Sequence, residues 1–182
     1  MKKIVSMVLL ISFICGLSVN VSAYSGIGTE SNPYVITTPK DLMNMKNDLS
    51  AHYVLGNNID MSDAWYEPVG NDIDGAFTGS FDGRGYTISN LDLDLEGTKY
   101  VGLFGYLDGT VKNVNLTNVV ASGYRYIGGI AGYADNNAKI LNCHCSAIID
   151  CLYIEKTVYS GGIVGYSLAS VDSCSFSGEV KG

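Results

Sequence analysis

The sequence predicts an all-β fold, a parallel β-solenoid, and three observations carry the prediction. First, glycine-bracketed segments recur. Gly102-Leu103-Phe104-Gly105-Tyr106, Gly129-Ile130-Ala131-Gly132-Tyr133 and Gly162-Ile163-Val164-Gly165-Tyr166 follow one another at spacings of 27 and 33 residues. Second, short alternating runs rich in Val, Ile and Leu lie between them, bounded by Gly, Asn and Asp, which is the pattern of half-buried strands. Third, with these runs in place no unit has room for a helical hairpin. Self-similarity at such a period means that each unit buries its apolar face only by stacking on the next.

Taken in chain order, the first segment is a targeting signal rather than part of the fold. Lys2 and Lys3 precede an apolar run from Ile4 to Leu17, and Val21-Ser22-Ala23 supplies a small-residue cleavage site. Residues 1–23 therefore read as a secretory signal peptide, too short for a stable membrane anchor. A lipoprotein signal would use Cys15, but Ile14 directly before it is a poor match to the small residue such signals need. No later apolar run could cross a bilayer, so no membrane insertion is expected after cleavage. The predicted location is secreted, extracellular or at the cell surface. Cleavage removes two lysines and no acid, leaving nine basic against eighteen acidic side chains, a net charge of −9. Such a surface repels phosphate backbones and argues against a nucleic-acid partner.

Residues 24–60 read as an N-terminal cap. Thr38-Pro39-Lys40-Asp41 has an N-cap threonine, proline at the first helical position and an acid at the third. Leu42, Met45 and Leu49 then fall on one helical face. A short helix here would cover the open strand edge of the solenoid.

Residues 61–182 read as the coils. A second repeated set runs Thr87-Ile88-Ser89-Asn90-Leu91-Asp92-Leu93, then Val111-Lys112-Asn113-Val114-Asn115-Leu116. It continues as Ile140-Leu141-Asn142-Cys143-His144-Cys145 and Val171-Asp172-Ser173-Cys174-Ser175-Phe176, with steps of 23, 29 and 31 residues. Aligned this way, Leu91, Val114, Cys143 and Cys174 form one inward column, and Leu93, Leu116, Cys145 and Phe176 another. Asn90, Asn113, Asn142 and Ser173 then form a ladder at a bend, where asparagine tolerates unusual backbone angles. The paired glycines are expected at corners, through positive φ and close backbone approach.

The four cysteines that follow the signal, Cys143, Cys145, Cys151 and Cys174, can be read in two ways. Export permits disulfides, and stacked Cα atoms about 4.8 Å apart are within bridging range. Packing as small hydrophobes is the favoured reading. In Cys143-His144-Cys145 the histidine of a strand points away from both sulfurs, so zinc is not expected.

Little else suggests chemistry. Asp60, Asp63, Asp72, Asp74 and Asp82 read as solvated turn residues; Asp72-Ile73-Asp74-Gly75 resembles a calcium loop but meets Phe81 where the ligating glutamate should be. β-Helix lyases and hydrolases need clustered carboxylates, whereas the outward columns Asp92, Asn115, His144, Ser175 and Asp94, Thr117, Ser146, Ser177 hold one acid each. His52 reads as structural, and no Gly-x-Ser-x-Gly elbow appears. No catalytic residue, cofactor or metal is expected. The surplus is tyrosine, thirteen in all. Tyr106, Tyr133 and Tyr166 share a register, either as a packing ladder or as an aromatic ligand-binding face.

The Gly-Leu-Phe-Gly segment and its relatives resemble the GLUG motif of bacterial secreted and surface proteins. So do Asn32-Pro33-Tyr34-Val35-Ile36, Tyr53-Val54-Leu55 with Asn58-Ile59-Asp60-Met61, and the more specific Phe81-Asp82-Gly83-Arg84-Gly85-Tyr86-Thr87-Ile88. The resemblance covers nearly all of the chain after the signal. It implies a right-handed parallel β-helix serving as a stalk or binding module, as in adhesin-like proteins and beside immunoglobulin A-cleaving metallopeptidase domains. This chain has no His-Glu-x-x-His motif, so peptidase chemistry is not implied for it. The expected function is a non-catalytic module for adhesion, ligand binding or spacing. The alternative is an accessory domain of a larger secreted peptidase or carbohydrate-active enzyme. Expected partners are a host glycan or protein, or further repeats of a longer chain, since the last coil ends without a cover.

Overall fold

The computed structural model describes residues 25–151 and 157–181; the signal-peptide expectation for residues 1–23 lies outside them. Strand β1 (Tyr34–Ile36) leads into α1 (Pro39–Asn44), a 3-10 turn (Met45–Asn47), β2 (His52–Leu55) and β3 (Ile59–Asp60). After an excursion through residues 61–79 come β4 (Ser80–Asp82), β5 (Thr87–Ser89), β6 (Asp92–Asp94), β7 (Tyr100–Val101) and β8 (Phe104–Leu107). The next coil holds β9 (Thr110–Lys112), β10 (Asn115–Ser122), β11 (Tyr126–Gly128) and β12 (Ala131–Ala134). A further one holds β13 (Lys139–Leu141), β14 (His144–Asp150), β15 (Tyr159–Gly161) and β16 (Val164–Ser167), and β17 (Ser170–Asp172) and β18 (Ser175–Lys181) begin another.

Every ladder between these strands is parallel, and each joins one coil to the next. Four sheets result, with orders β1-β2-β4-β9-β13-β17, β18-β14-β10-β5-β3 (β6 also pairing β10), β15-β11-β7 and β16-β12-β8. The fold is the predicted parallel β-solenoid with one short helix near its N-terminal end.

The core is a set of columns. Tyr53, Phe81, Val111 and Ile140 stack on the first sheet, and Ile59, Ile88, Leu116 and Cys145 on the second, all buried. Each such side chain contributes on the order of 1.5–3 kcal/mol of burial. At the N-terminal end the core is aromatic: Phe77 packs on Phe104 at 4.8 Å, and Phe81 meets Phe104 edge-on at 5.8 Å.

Two segments close that end. The helix starts as its residues dictate, with Thr38 and Asp41 forming a reciprocal capping box and Pro39 in the first turn. Leu42 and Met45 enter the core, and the Tyr53 hydroxyl donates to the Asp48 carbonyl at 2.8 Å. The excursion 61–79 contributes a second cover that the repeat pattern does not announce. Val69 and Phe77 bridge to Phe104 and Leu107, and the Tyr66 hydroxyl donates to the Leu103 carbonyl at 2.9 Å. Tyr66, Val69 and Phe77 are all buried against the edge of the β8 sheet.

The register corrects one alignment. Asn90 does not stack on Asn113, nor Leu93 on Leu116. Thr87, Ile88 and Ser89 pair with Asn115, Leu116 and Thr117, while Leu93 pairs with Ala121. The period from Ile88 to Leu116 is thus 28 residues, matching the 29 from Leu116 to Cys145. The 23-residue step of the sequence alignment was the sign of a slip. It arose because both bends carry asparagine in the left-handed region: Asn113, Asn142 and Ser173 at one, Asn90 and Asn118 at the other. Each bend has its own amide ladder. Asn142 donates to Asn113 and Asn113 to Asp82, both at 2.9 Å; Asn118 donates to Asn90 at 2.6 Å and Asn90 to Asp60 at 2.8 Å. The outward columns change accordingly. Asp92 heads Val120, Ile148 and Glu179, and Asn115, His144 and Ser175 follow Thr87.

Candidate functional site: a two-column tyrosine face

The face is made at the corner between the β7-β11-β15 and β8-β12-β16 sheets, and the glycines explain it. None of Gly102, Gly105, Gly129, Gly132, Gly162 or Gly165 has positive φ, contrary to that part of the expectation. What they need is space. A Cβ on Gly132 would sit 2.7 Å from the Val101 nitrogen and 2.8 Å from the Tyr126 oxygen; on Gly165 it would meet the Ile127 nitrogen at 2.5 Å. A Cβ on Gly129 would strike the Cys145 sulfur at 2.2 Å, and on Gly162 the Phe176 ring at 2.1 Å. The corner therefore packs backbone on backbone at Gly132 and Gly165, and backbone on core side chains at Gly129 and Gly162, closeness that only glycine allows.

Folding so tightly brings two tyrosine columns side by side. Tyr106, Tyr133 and Tyr166 are in register, as their spacing predicts, and so are Tyr100, Tyr126 and Tyr159. The second column stacks nearly parallel, with centroids 5.3 and 5.4 Å apart. In the first, Tyr106 meets Tyr133 edge-on at 5.1 Å, and Tyr133 stacks on Tyr166 at 5.3 Å. Edge-to-face contacts join the columns, including Tyr126 to Tyr133 at 5.4 Å and Tyr159 to Tyr166 at 5.1 Å. All six rings are half-buried. They pack on one another and remain partly exposed, so ladder and exposed face are one object.

Charged groups border it. Lys99 lies over the Tyr100 ring at 4.6 Å and Arg125 over Tyr126 at 5.1 Å, within cation–π range. Lys99 also binds Asp72 at 2.7 Å, and that hydrogen bond is the main cause of its raised pKa. The Tyr106 hydroxyl donates to Asp135 at 2.7 Å. This bond to a carboxylate, with burial second, pushes the Tyr106 phenol up to about 12 and holds Asp135 below the usual carboxylate range. Burial, then the Asp135 charge, raises Tyr133.

Sequence reading found the first column and missed the second. Tyr126 and Tyr159 stand three residues before their motif glycines, but Tyr100 stands two before Gly102. One missing residue hid the match.

The other candidates lie elsewhere. Cys143, Cys145, Cys151 and Cys174 are free thiols, the first two buried, and burial pushes both buried thiols up to about 12. His144 lies on the outer side, its Nδ1 2.7 Å from the Ser175 hydroxyl, so it does not converge with the sulfurs. His52 makes the same bond to Ser80. Asp60 accepts from Asn90 and Ser62, and Asp74 from Asn71. Among the described residues no three His, Cys, Asp or Glu side chains form a group able to hold a metal ion. No helix among them is long and apolar enough to cross a membrane.

With the geometry in place, comparison with known proteins is informative. Residues 27–147 match the family described as the M26 IgA1-specific metallo-endopeptidase N-terminal region. The chain belongs to that family. The match is to the family's N-terminal region and not to its catalytic part. Relatives include halomucin of Haloquadratum walsbyi, 40% identical over 134 residues, covering 65% of this chain and 2% of halomucin. Another is a protein of Evansella cellulosilytica described as a Gly-rich membrane protein, 32% identical over 139 residues, covering 64% of this chain and 16% of the relative. The chain thus spans only a small part of the curated relatives it matches. Among solved structures, a candidate immunoglobulin A1 protease from Bacteroides ovatus superposes with a TM-score of 0.50. It is 19% identical, covers 85% of this chain and 79% of that one, and shares the fold.

Proposed function

We propose that this chain is a non-catalytic, exported module whose solenoid both spaces and presents the tyrosine face to a glycan or protein outside the cell. The observation that carries the reading is the six tyrosines in register along three coils, bordered by Lys99 and Arg125. A corner ladder could be built from aliphatic residues alone. Tyrosine adds hydroxyls and large, rigid contact area at low entropic cost, which suits recognition. Family membership supports the accessory role, since the matched region is the N-terminal part of a peptidase family. The two matched relatives support a place at the surface or outside the cell.

The test is a glycan and host-protein array probed with the folded chain, beside turnover assays on polysaccharides and immunoglobulin A. Specific retention without turnover is expected. Turnover abolished by replacing any single acid would overturn the non-catalytic reading.

The family match also favours a second reading, in which the module serves a peptidase joined to it. An antibody against the module separates the two in source cultures. A larger band that co-purifies with immunoglobulin-cleaving activity would favour the peptidase role. Its absence would favour the stand-alone binder.

A further inference from the structure

Trp65 is the single tryptophan of the chain, and it is 64% exposed. It lies in the excursion 61–79, outside the repeat, so no column of the solenoid requires an aromatic ring there. It borders a groove of about 500 Å³ between the excursion, the 3-10 turn and the loop before β7. That volume falls within the ~300–1,000 Å³ usual for small-molecule sites. We propose that this groove binds a neutral oligosaccharide, with one sugar ring laid on the Trp65 indole.

The lining matches that chemistry. The exposed indole offers a π-face to the C–H side of a pyranose, and Leu49, Pro68 and Leu95 extend the apolar floor. Asn47, Asn71, Asp74 and Thr98 line the same groove. Asn71 is already bonded to one oxygen of Asp74 and to its own loop, so the Asn47 amide, the Thr98 hydroxyl and the other Asp74 oxygen are the groups offered to the paired hydroxyls of a sugar edge. The charge balance selects against anions. Lys46 is already paired with Glu67, and Lys99 with Asp72, while Asp74 remains as an acid of the lining. A phosphate or uronic acid would find no free cation among these residues. Tyr100, first rung of the stacked column, also lines the groove, so a longer chain could leave it along the tyrosines. Occupancy of the groove does not depend on that face.

The lone tryptophan makes the test direct. Chitohexaose, cellohexaose and maltohexaose are titrated into the folded chain while the emission of Trp65 is followed, with a hyaluronan hexamer as the anionic probe. A saturable change is expected with at least one neutral hexamer and none with hyaluronan. Asn47→Ala keeps the reporter and an exposed site, and should weaken binding about tenfold, the loss of one hydrogen bond of ~1.4 kcal/mol. Calorimetry should show binding absent in Trp65→Ala and unchanged in Tyr86→Ala, whose exposed ring lies outside both the groove and the tyrosine face. No response to any neutral hexamer, preference for hyaluronan, or full binding by Trp65→Ala would overturn the proposal. Binding lost in Tyr133→Ala but kept in Trp65→Ala would leave the tyrosine face standing and remove the groove.

Discussion

At the scale of single residues, the motif glycines and the tyrosines they bring together make separate, checkable demands. Gly132→Ala places a Cβ within 3.0 Å of three backbone atoms, and overpacking of this kind costs about 1–3 kcal/mol. Gly97 has positive φ but open space around it, so Gly97→Ala meets only the left-handed penalty, about 1 kcal/mol. Urea midpoints should fall further for the first variant; the reverse order would contradict the packing account of the corner. The Tyr106–Asp135 bond gives a pH signature. Asp135 is held below its ordinary 3.8, so its contribution is present above that value and lost as pH falls through the lowered pKa. Tyr106 is raised from 10.0 to about 12, so its contribution is present below 10.0 and lost as pH rises through about 12. The stability difference between wild type and Tyr106→Phe should be flat between 3.8 and 10.0 and shrink outside. A difference growing toward acid would show that the pair does not bond as described.

At the scale of elements, neighbouring residues of one strand separate the two faces. Ile148 and Ile149 lie side by side in β14, 44% and 0% exposed. Ile149→Asp buries an unpaired charge and should unfold the chain, while Ile148→Asp should stay within about 0.5 kcal/mol of wild type. Equal effects, measured by thermal melting, would mean the register is wrong. The same alternation shows how much the sequence disclosed. Strand columns from Val111 onward, the capped helix at Thr38 and the tyrosines at 106, 133 and 166 were legible, because each rests on a local pattern of periodicity or capping. The slip at Asn90 and the hidden column at Tyr100 were not. Two bends use the same residue type for the same left-handed backbone, and one deleted residue before Gly102 shifts the frame. The cover by residues 61–79 follows no repeat at all, so only its burial reveals it. The cysteines allow a parallel check. Residues 24–182, unfolded and unreduced, should titrate four thiols, with Cys143 and Cys145 unreactive until unfolding; two or fewer would mean a disulfide has formed.

At the scale of the whole molecule, the parallel coils form a rod that holds side chains at a fixed repeat, and no local rearrangement is needed to align the six tyrosines. Under the proposed function this aligned face recognises a partner. The most direct measurement is the affinity of the best array ligand for wild type, Tyr133→Ala and Tyr86→Ala, each verified as folded by far-UV circular dichroism. Tyr133 is the middle ring of the first column and meets Tyr126 of the second edge-on, whereas Tyr86 is exposed but stands outside the face. Truncating a central recognition tyrosine should weaken binding by roughly thirtyfold or more, the loss of about 2 kcal/mol expected of an interface anchor, with Tyr86→Ala unchanged. Equal affinity of the folded Tyr133→Ala variant and wild type would show that the ladder only holds the corner together, and would contradict the account.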